Sequence, residues 1–375
     1  MLEERPYAGL FVLDAGQGVA GPYCGMLLAA CGADVVKLEP PEGDWSRGLS
    51  TRQGSQSVMH AVFNRGKRSV ILDLRTPEGR AASARLAARA DVLIESFRPG
   101  VAARLGLGPE ATGPNAICLS ISGFGQSGPY AERPCTDSVA QAFGGLMFAN
   151  RDEDGAPRKV GILASDMATG LHGFAAVQAA LAGRWRDAAE GRPARRRVLD
   201  VSLMAGTAAM LGFPIAEAGL LGRPPEALNI PAGCYECADG GWLAIALVRE
   251  AEFRALCSVL GLEDLPSDPR FADFPSRARH RSALLPGIRA AFRAHSVGDW
   301  LTRFAAARIM AERANGPNDW LADPHVLAVD GAPVRDQPGL GPMPFPRLPG
   351  LPEPIGPAPA LGEHTAEVMA GFAEA

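Results

Sequence analysis

The first half of the chain alternates short apolar segments of strand character with segments of helix character. The strand-like segments read "GLFVLDA", "DVVKLEP", "SVILDL", "DVLIESF" and "AICLSIS". Helical patterns separate them, and in "TPEGRAASARLAARA" Thr76 is the expected N-cap, with Pro77 at the first helical position. Because parallel strands need crossover helices, this alternation predicts an α/β fold with a doubly wound parallel sheet.

The strand and helix signals continue until the composition of the chain changes near Gly222. A long helix is predicted over residues 165–185, followed by the strand "RRVLDVSL" and a helix that starts at "LMAGTAAMLGF". Beyond Gly222, "GCYECADGGWLAIAL" predicts a β-hairpin with a Gly-Gly turn, and two helical patterns follow. We therefore expect a second, smaller α+β domain over residues 223–325.

Residues 331–360 are rich in Pro and Gly, which is typical of a disordered linker or of an extended surface segment. Apolar residues are interleaved with them, which favours an extended segment lying on the first domain. The closing "GEHTAEVMAGFAEA" predicts a short helix.

The composition is that of an ordinary globular protein, with 47% hydrophobic residues, 21% charged residues and a net charge of −4. This balance gives no electrostatic reason to expect nucleic acid or an anionic membrane as a partner. No run of 18 apolar residues is present, and "MLEERPYAG" lacks the apolar core of a signal peptide. Seven scattered cysteines fit reduced thiols, so we expect a cytoplasmic protein.

One pair of cysteines, Cys234 and Cys237, has C-x-x-C spacing. A zinc site needs a second pair or histidines at suitable spacing, and none follows, so we expect no bound metal. Two cysteines in a strand-like segment is the favoured interpretation.

The stretch "LDAGQGVAG" places Gly16, Gly18 and Gly21 in the G-x-G-x-x-G pattern of dinucleotide-binding loops. Pro22 follows at once, and proline belongs in the first turn of a helix. We therefore expect the helix to start near Gly21 or Pro22, with all three glycines in the loop and the fingerprint out of register. Phosphate or pantetheine would fit such a loop as well as nicotinamide.

Three longer stretches carry a family resemblance: "NRGKRSVILDLRTPEGRAAS" (64–83), "DVLIESFRPGVAARLGLG" (91–108) and "SISGFGQSGPYAERPCTDSVAQAFGGLM" (120–147). With "AGPYCGMLLAACGADVVKLEPPEGDWSRG" (20–48), they resemble the family III CoA-transferases, the carnitine and bile-acid CoA-transferase (CaiB/BaiF) group. The resemblance implies a large Rossmann-like domain from both chain ends (1–222 and 326–375), a small domain (223–325) and an interlocked homodimer.

The resemblance also implies roles for individual residues. It makes Asp166, in "GILASDMATGLHGFAAVQAAL", the nucleophile, and it places Val19 and Ala20 beside the pantetheine and thioester of CoA. It places six further residues near the CoA adenine and phosphates: Leu72, Arg75, Ser96, Phe97, Arg98 and Arg104. The implied partners are an acyl-CoA and a carboxylic acid. CoA is then part of the substrate, and no tightly bound cofactor is implied.

The residue types suit this chemistry. Arg65, Arg75, Arg98 and Arg104 lie at strand ends and loops where phosphates are met bidentately, although a solvated basic face is the ordinary alternative. Asp166 starts a long helix, where an aspartate is by default an N-cap whose ionised form the helix amides stabilise. An ionised carboxylate attacks a thioester to form an anhydride, which the CoA thiolate converts into an enzyme–CoA thioester.

The oxyanions of such a reaction need hydrogen-bond donors, for which we consider the backbone near Gly123–Gly125 or Gly144–Gly145.

The same fold carries α-methylacyl-CoA racemases, which need a histidine base where "RPCTD" has Thr136 before Asp137. His172 lies six residues beyond Asp166 and is expected to point elsewhere. A racemase-like enzyme, a nicotinamide oxidoreductase and a protein that only binds CoA stay open as alternatives. The degraded segment "ARIMAERANGPNDWLADPH" leaves the acid substrate open.

Overall fold

A computed structural model of the chain describes residues 4–54, 56–152 and 155–372. The chain divides into two compact units, of which the first combines Met1–Gly212 with Gly331–Ala375 and the second is Phe213–Asp330. The sequence prediction places these boundaries at 222/223 and 325/326 instead. Helix α9 (Gly212–Leu221) accounts for the first difference, and it has no buried residue.

The strands in chain order are β1 (Phe11–Ala15), β2 (Asp34–Glu39), β3 (Arg52–Gln53), β4 (Gln56–Ser57), β5 (Arg68–Ile71), β6 (Val92–Glu95), β7 (Ile117–Ser122), β8 (Arg197–Ser202), β9 (Gly233–Glu236), β10 (Trp242–Ala246), β11 (Met310–Arg313), β12 (Val334–Gln337) and β13 (Gly341–Pro344). The α-helices are α1 (Ala20–Ala30), α2 (Val58–Asn64), α3 (Pro77–Arg89), α4 (Val101–Arg104), α5 (Asp137–Phe143), α6 (Leu146–Ala149), α7 (Ala164–Ala189), α8 (Leu203–Met210), α9 (Gly212–Leu221), α10 (Glu250–Leu260), α11 (Phe274–Arg279), α12 (Arg281–Phe292), α13 (Val297–Ala306), α14 (Pro317–Ala322), α15 (Pro324–Ala328) and α16 (Thr365–Gly371). Short 3₁₀ turns span Trp45–Gly48, Pro109–Ala111, Leu265–Ser267 and Pro269–Phe271.

The first unit is built on a six-stranded parallel sheet with the order β5-β2-β1-β6-β7-β8, which confirms the predicted doubly wound sheet and is consistent with a Rossmann-like fold. From β1 the chain proceeds outwards to β2 and β5, then returns to β6 and proceeds the other way. The loops after β1 and β6 therefore diverge, and ligands of open α/β sheets bind at such a switch point.

Alternate residues of the central strands point to opposite faces, so each face carries its own core. Val12 belongs to one core with helices α1 and α7, and Leu13 belongs to the other with α3 and α16. Strand β7 is buried along its whole length, as expected for a strand covered on both sides. The sheet is thus sandwiched between two helical layers.

Helix α3 begins as predicted, because the Thr76 hydroxyl accepts the N–H of Gly79 at 3.0 Å. The Pro- and Gly-rich segment lies on the first unit, with Leu348 in its core and the Gln337 side chain bonded to both backbone groups of Ala358. It also contains the hairpin β12–β13, which the sequence does not predict.

The second unit has a small antiparallel sheet of order β11-β10-β9, in which β9 and β10 form the predicted hairpin. Gly240 supplies the positive φ of its turn. Cys234 lies in β9 and Cys237 follows it, and in the described part of the chain no three His, Cys, Asp or Glu side chains form a metal-binding group.

In the described ranges, no single helix is both long and apolar enough to cross a membrane. Only the consecutive helices α8 and α9, bent by 76° at their junction, meet that criterion together.

Helix α7 packs directly on α1 because glycine lets the backbones approach. A Cβ atom at Gly170 would lie 2.8 Å from the Ala20 carbonyl oxygen, whereas one at Gly183 would find its nearest neighbour, Arg197, at 3.8 Å. We predict that Gly170→Ala destabilises the protein by roughly 1–3 kcal/mol through overpacking. Gly183→Ala, in the same helix, should stabilise it by about 0.5–1 kcal/mol through helix propensity.

Urea unfolding of the two variants beside the wild-type chain checks this pair. A Gly170→Ala protein at least as stable as the wild type would contradict the close packing of α7 on α1.

Candidate active site

Two adjoining hollows open at the carboxyl ends of the parallel strands, where the switch point predicts a ligand. The larger, of about 370 Å³, lies between the loops after β1, β6 and β7, and the smaller, of about 300 Å³, lies beside the ends of β2 and β5. Gln17 and Phe97 line both of them. The Gln17 N–H donates to the Ser96 hydroxyl at 2.9 Å, which joins the two diverging loops. Because they share these two lining residues, the two hollows adjoin, and together they make up the groove.

The larger hollow is lined by the three residues predicted at the reacting group, Val19, Ala20 and Asp166. Ser96 and Phe97, which were predicted near the CoA adenine and phosphates, line this hollow as well. These five residues come from the loop after β1 and the start of α1, the loop after β6 and helix α7, and only the fold makes them neighbours. Trp45, Thr136 and Asp137 line the same hollow.

Of the six residues predicted near the CoA adenine and phosphates, Arg75 and Phe97 line the smaller hollow. Arg75 is 72% exposed, and its Nε lies 2.7 Å from an Asp73 carboxylate oxygen. Leu72, Arg98 and Arg104 do not line either hollow; Leu72 packs on the apolar core, and the two arginines are exposed after β6.

Arg65 lies apart from the groove, which corrects its interpretation as a phosphate ligand. Its guanidinium is buried 4.1 Å from the centre of the Phe345 ring, and burial lowers its pKa. Arg65 is buried and lines neither hollow, so it is not placed to bind a phosphate in the groove.

The glycine loop differs from the prediction at its third glycine. Helix α1 starts at Ala20 with Val19 as N-cap, so Gly21 and Pro22 both lie in its first turn and only Gly16 and Gly18 lie in the loop. The reason is that proline is tolerated throughout the first turn and does not mark its first residue. Glycine is favoured at position 21 because a Cβ atom there would lie 3.0 Å from the Gly16 Cα.

The loop amide that a dinucleotide-binding protein would offer to phosphate is occupied. The Gly18 N–H donates to the Asp44 carboxylate at 3.0 Å, and the Trp45 indole covers the Gly18 Cα so closely that a side chain at position 18 would overlap it. The Gly18 N–H, bonded to this carboxylate, is therefore not free to bind a pyrophosphate. The loop geometry therefore counts against nicotinamide binding.

Two buried ion pairs hold the glycine loop in place, and the sequence patterns did not predict them. The Lys67 ammonium lies 2.7 Å from Asp14 at the end of β1 and also donates to the Pro22 carbonyl. Lys37 pairs with Asp44 at 2.8 Å. Burial lowers the pKa of Lys67 to about 8, although Asp14 favours its charged form.

Glu39, at the end of β2, anchors the adjoining turn. Burial opposes its ionisation, but two hydrogen bonds from Arg47, both at 2.7 Å, act together with the charges of Arg47 and Lys37 to lower the pKa of Glu39 to about 2. Glu39 therefore stays charged beside the smaller hollow.

Asp166 is not the N-cap of α7, as the sequence predicts, but the third residue of the helix. Asp137, from α5, takes the capping role instead: its Oδ1 accepts the N–H groups of Ser165 at 2.9 Å and Asp166 at 3.3 Å. Its Oδ2 accepts the Gln141 side chain at 2.7 Å. Since the helix amides bind the Asp137 carboxylate, the Asp166 carboxylate projects into the larger hollow without them.

This arrangement reverses the expected effect on ionisation. Burial, and then the negative charge of Asp137, raise the pKa of Asp166 to about 7, with Lys159 offsetting part of the shift. The Asp166 carboxyl therefore titrates near neutral pH. A perturbed carboxyl in a cleft is a mark of a functional site.

Two other predicted features have definite positions. Thr136 lines the larger hollow as the N-cap of α5, so no imidazole stands at that position, and His172 is exposed and lines neither hollow. The N–H groups of Gly144 and Gly145 bond the backbone of their own turn, which removes them as oxyanion donors.

Among the remaining glycine candidates, the Gly125 N–H donates to the Ser122 hydroxyl at 3.0 Å. Gly123 lines the larger hollow and stays a candidate.

Comparison with known proteins places this groove in context. Residues 7–365 match the sequence profile of CoA-transferase family III. The chain is 34% identical to succinyl-CoA–D-citramalate CoA-transferase of Chloroflexus aurantiacus, over 97% of this chain and 93% of that protein. It is 34% identical to succinate–glutarate CoA-transferase of Agrobacterium fabrum, over 97% and 95% of the two chains. A crystal structure of a CAIB/BAIF family protein from Brucella suis superposes with a TM-score of 0.83 at 31% identity, covering 99% and 100% of the two chains.

The contact between Asp137 and Asp166 generates a prediction about titration. Asp137→Asn keeps an oxygen acceptor for the helix amides but removes the negative charge, so the pKa of Asp166 should fall below its wild-type value. Carboxyl ¹³C NMR with labelled aspartate measures the midpoint, with Asp166→Asn identifying the signal.

Asp200→Asn serves as the control, because Asp200 is not among the charges that act on Asp166. An Asp166 midpoint that stays unchanged in Asp137→Asn would show that Asp137 does not set the ionisation of Asp166.

Proposed function

The chain belongs to CoA-transferase family III, and from that premise we propose that it moves CoA from an acyl-CoA donor to a carboxylic acid acceptor, with Asp166 as the nucleophile. One observation supports the proposal most: the Asp166 carboxylate shares a hollow with Val19 and Ala20, at the switch point of the sheet. With its pKa raised to about 7, part of the Asp166 carboxyl is ionised near neutral pH, and this poorly solvated carboxylate can act as a nucleophile.

The proposed reaction proceeds through carbonyl additions that balance without a further reagent. An Asp166 oxygen attacks the thioester carbon and expels CoA as thiolate, which leaves a mixed anhydride on the enzyme. The thiolate then attacks the aspartyl carbonyl, which releases the donor acid and forms an enzyme–CoA thioester. The acceptor carboxylate attacks this thioester, giving a second anhydride and CoA thiolate. Attack of the thiolate on the acceptor carbonyl releases the new acyl-CoA and restores the Asp166 carboxylate.

We place CoA along the groove formed by the two hollows. The pantetheine and thioester would pass Val19 and Ala20 in the larger hollow, and the adenine and phosphates would lie in the smaller one near Arg75. Exposed ion pairs contribute about 0–1 kcal/mol, so Arg75 can exchange its Asp73 and Glu42 partners for phosphate at little cost. Leu72, Arg98 and Arg104 adjoin this hollow in sequence and complete the proposed nucleotide site.

The proposed enzyme is a homodimer in which the large domain, built from both chain ends, carries the CoA site, and the middle of the chain forms the small domain. Large apolar side chains on α8 and α9 support a partner surface, since Phe213 is 57% exposed and Leu220 is 87% exposed. Sedimentation equilibrium should give twice the monomer mass. A monomer at micromolar concentration would contradict the dimer.

A CoA-exchange assay with mass-spectrometric detection tests the proposed reaction. The panel of donors and acceptors includes the acids in the names of the two relatives: succinate, citramalate and glutarate. We expect exchange for at least one pair, and we expect Asp166→Asn to reduce kcat by about three orders of magnitude or more. Asp34→Asn, which removes an exposed carboxylate, should leave the rate unchanged.

Other outcomes would replace the proposal. An Asp166→Asn enzyme with full activity would remove Asp166 as nucleophile. Deuterium wash-in at the α-carbon of an acyl-CoA without exchange would indicate a racemase-like enzyme. A thermal shift with NAD(P)H but not with CoA would indicate an oxidoreductase, and CoA binding without exchange for any pair would indicate a binding protein.

A further inference from the structure

We propose that Asp44 is a positioning residue of the CoA site, which ties the glycine loop to the turn that carries Trp45 and so fixes the wall along which the pantetheine arm lies. The inference rests on the proposed function, because it takes the groove to be the CoA site. Asp44 does not line either hollow itself. Its effect on CoA is therefore exerted through Gly18 and Trp45.

The Asp44 carboxylate bonds both segments at once. Its Oδ1 accepts the N–H of Gly18 at 3.0 Å and the N–H of Ser46 at 2.8 Å, which caps the 3₁₀ turn Trp45–Gly48. Its Oδ2 pairs with the buried Lys37 ammonium at 2.8 Å. A side chain without an oxygen acceptor at position 44 would lose this link between the two backbone segments.

Lys37 and Glu39 make further hydrogen bonds that fix the glycine loop and the turn that carries Trp45. The Lys37 ammonium also donates to the Gly16 carbonyl, so the ion pair holds the loop at Gly16 as well as at Gly18. The backbone N–H of Asp44 donates to Glu39 at 3.0 Å, which fixes the turn to the end of β2. Charged hydrogen bonds in a buried setting are the stronger class and favour one geometry.

Trp45 shows what this geometry achieves. One part of its indole covers Gly18, whose φ of +78° and missing side chain make room for it, while Trp45 is 51% exposed and lines the larger hollow. The wall of the groove is therefore a composite of loop backbone and indole. Its two components belong to separate segments that Asp44 joins.

The chemistry of CoA predicts which part of the ligand depends on Asp44 for its binding. The pantetheine arm is uncharged and carries amides and a thioester. It suits an apolar wall in which the Gly18 N–H is already hydrogen-bonded to the Asp44 carboxylate. The nucleotide half is anionic and is placed in the other hollow, near Arg75. Losing Asp44 should therefore weaken the binding of the arm and leave the nucleotide half unaffected.

Two double variants that differ only at position 44 test this inference. Both carry Lys37→Met, so that no buried ammonium is left unpaired. Lys37→Met with Asp44→Asn retains the oxygen that accepts from Gly18 and Ser46, whereas Lys37→Met with Asp44→Ala removes it. Calorimetric titration measures Kd for CoA, which has the arm, and for 3′,5′-ADP, which lacks it.

We expect the Asp44→Ala double variant to bind CoA about tenfold or more weakly than the Asp44→Asn double variant, with equal Kd values for 3′,5′-ADP. Asp187→Asn removes a buried, ion-paired carboxylate elsewhere and should leave both Kd values unchanged. If the Asp44→Ala double variant does not fold, Gly18→Ala displaces the indole without changing any charge. It should likewise weaken CoA and not 3′,5′-ADP.

The results that overturn the inference are distinct from those that overturn the function. Equal CoA affinities in the two double variants, or equal losses for CoA and 3′,5′-ADP, would show that Asp44 only stabilises the fold. A wild-type chain that binds neither ligand would contradict the proposed function and this inference with it.

Discussion

The buried ion pairs at the carboxyl ends of β1 and β2 are the interaction on which the groove depends. Asp14 with Lys67 and Lys37 with Asp44 are fully buried, and each ammonium has further oxygen partners. Removing one partner of such a pair leaves an uncompensated charge, which typically costs 3–5 kcal/mol. Their value to this protein is geometric, because they hold the glycine loop by its carbonyl and amide groups and leave its surface free for the proposed pantetheine arm.

A competition for hydrogen bonds shapes the surroundings of Asp166, the proposed nucleophile. The first amides of α7 can bind one carboxylate, and Asp137 takes them, so Asp166 is left buried and repelled by a like charge. A nucleophilic carboxylate gains from this, since a fully satisfied one is a weak nucleophile. The same helix therefore positions Asp166 precisely in space without stabilising its charge.

Local patterns in the sequence predicted the fold well and the electrostatics poorly. The alternation of segments predicted the parallel sheet, and Thr76 predicted the start of α3, because both depend on residues a few positions apart. The capping of α7 was assigned to the wrong aspartate, since the true cap lies 29 residues away. The pairing of Lys67 with Asp14 spans 53 residues and has no local signal. The family resemblance supplied Val19, Ala20, Ser96, Phe97 and Asp166, which the structure brings to one hollow.

The central claim is that the Asp166 carboxyl becomes covalently activated during CoA transfer. The most direct measurement incubates the enzyme with an acyl-CoA donor and no acceptor, adds hydroxylamine, and maps the modified peptide by mass spectrometry. The account predicts a single hydroxamate, located on Asp166 and dependent on the donor. A hydroxamate on another residue, or turnover with an unmodified Asp166 throughout, would contradict it.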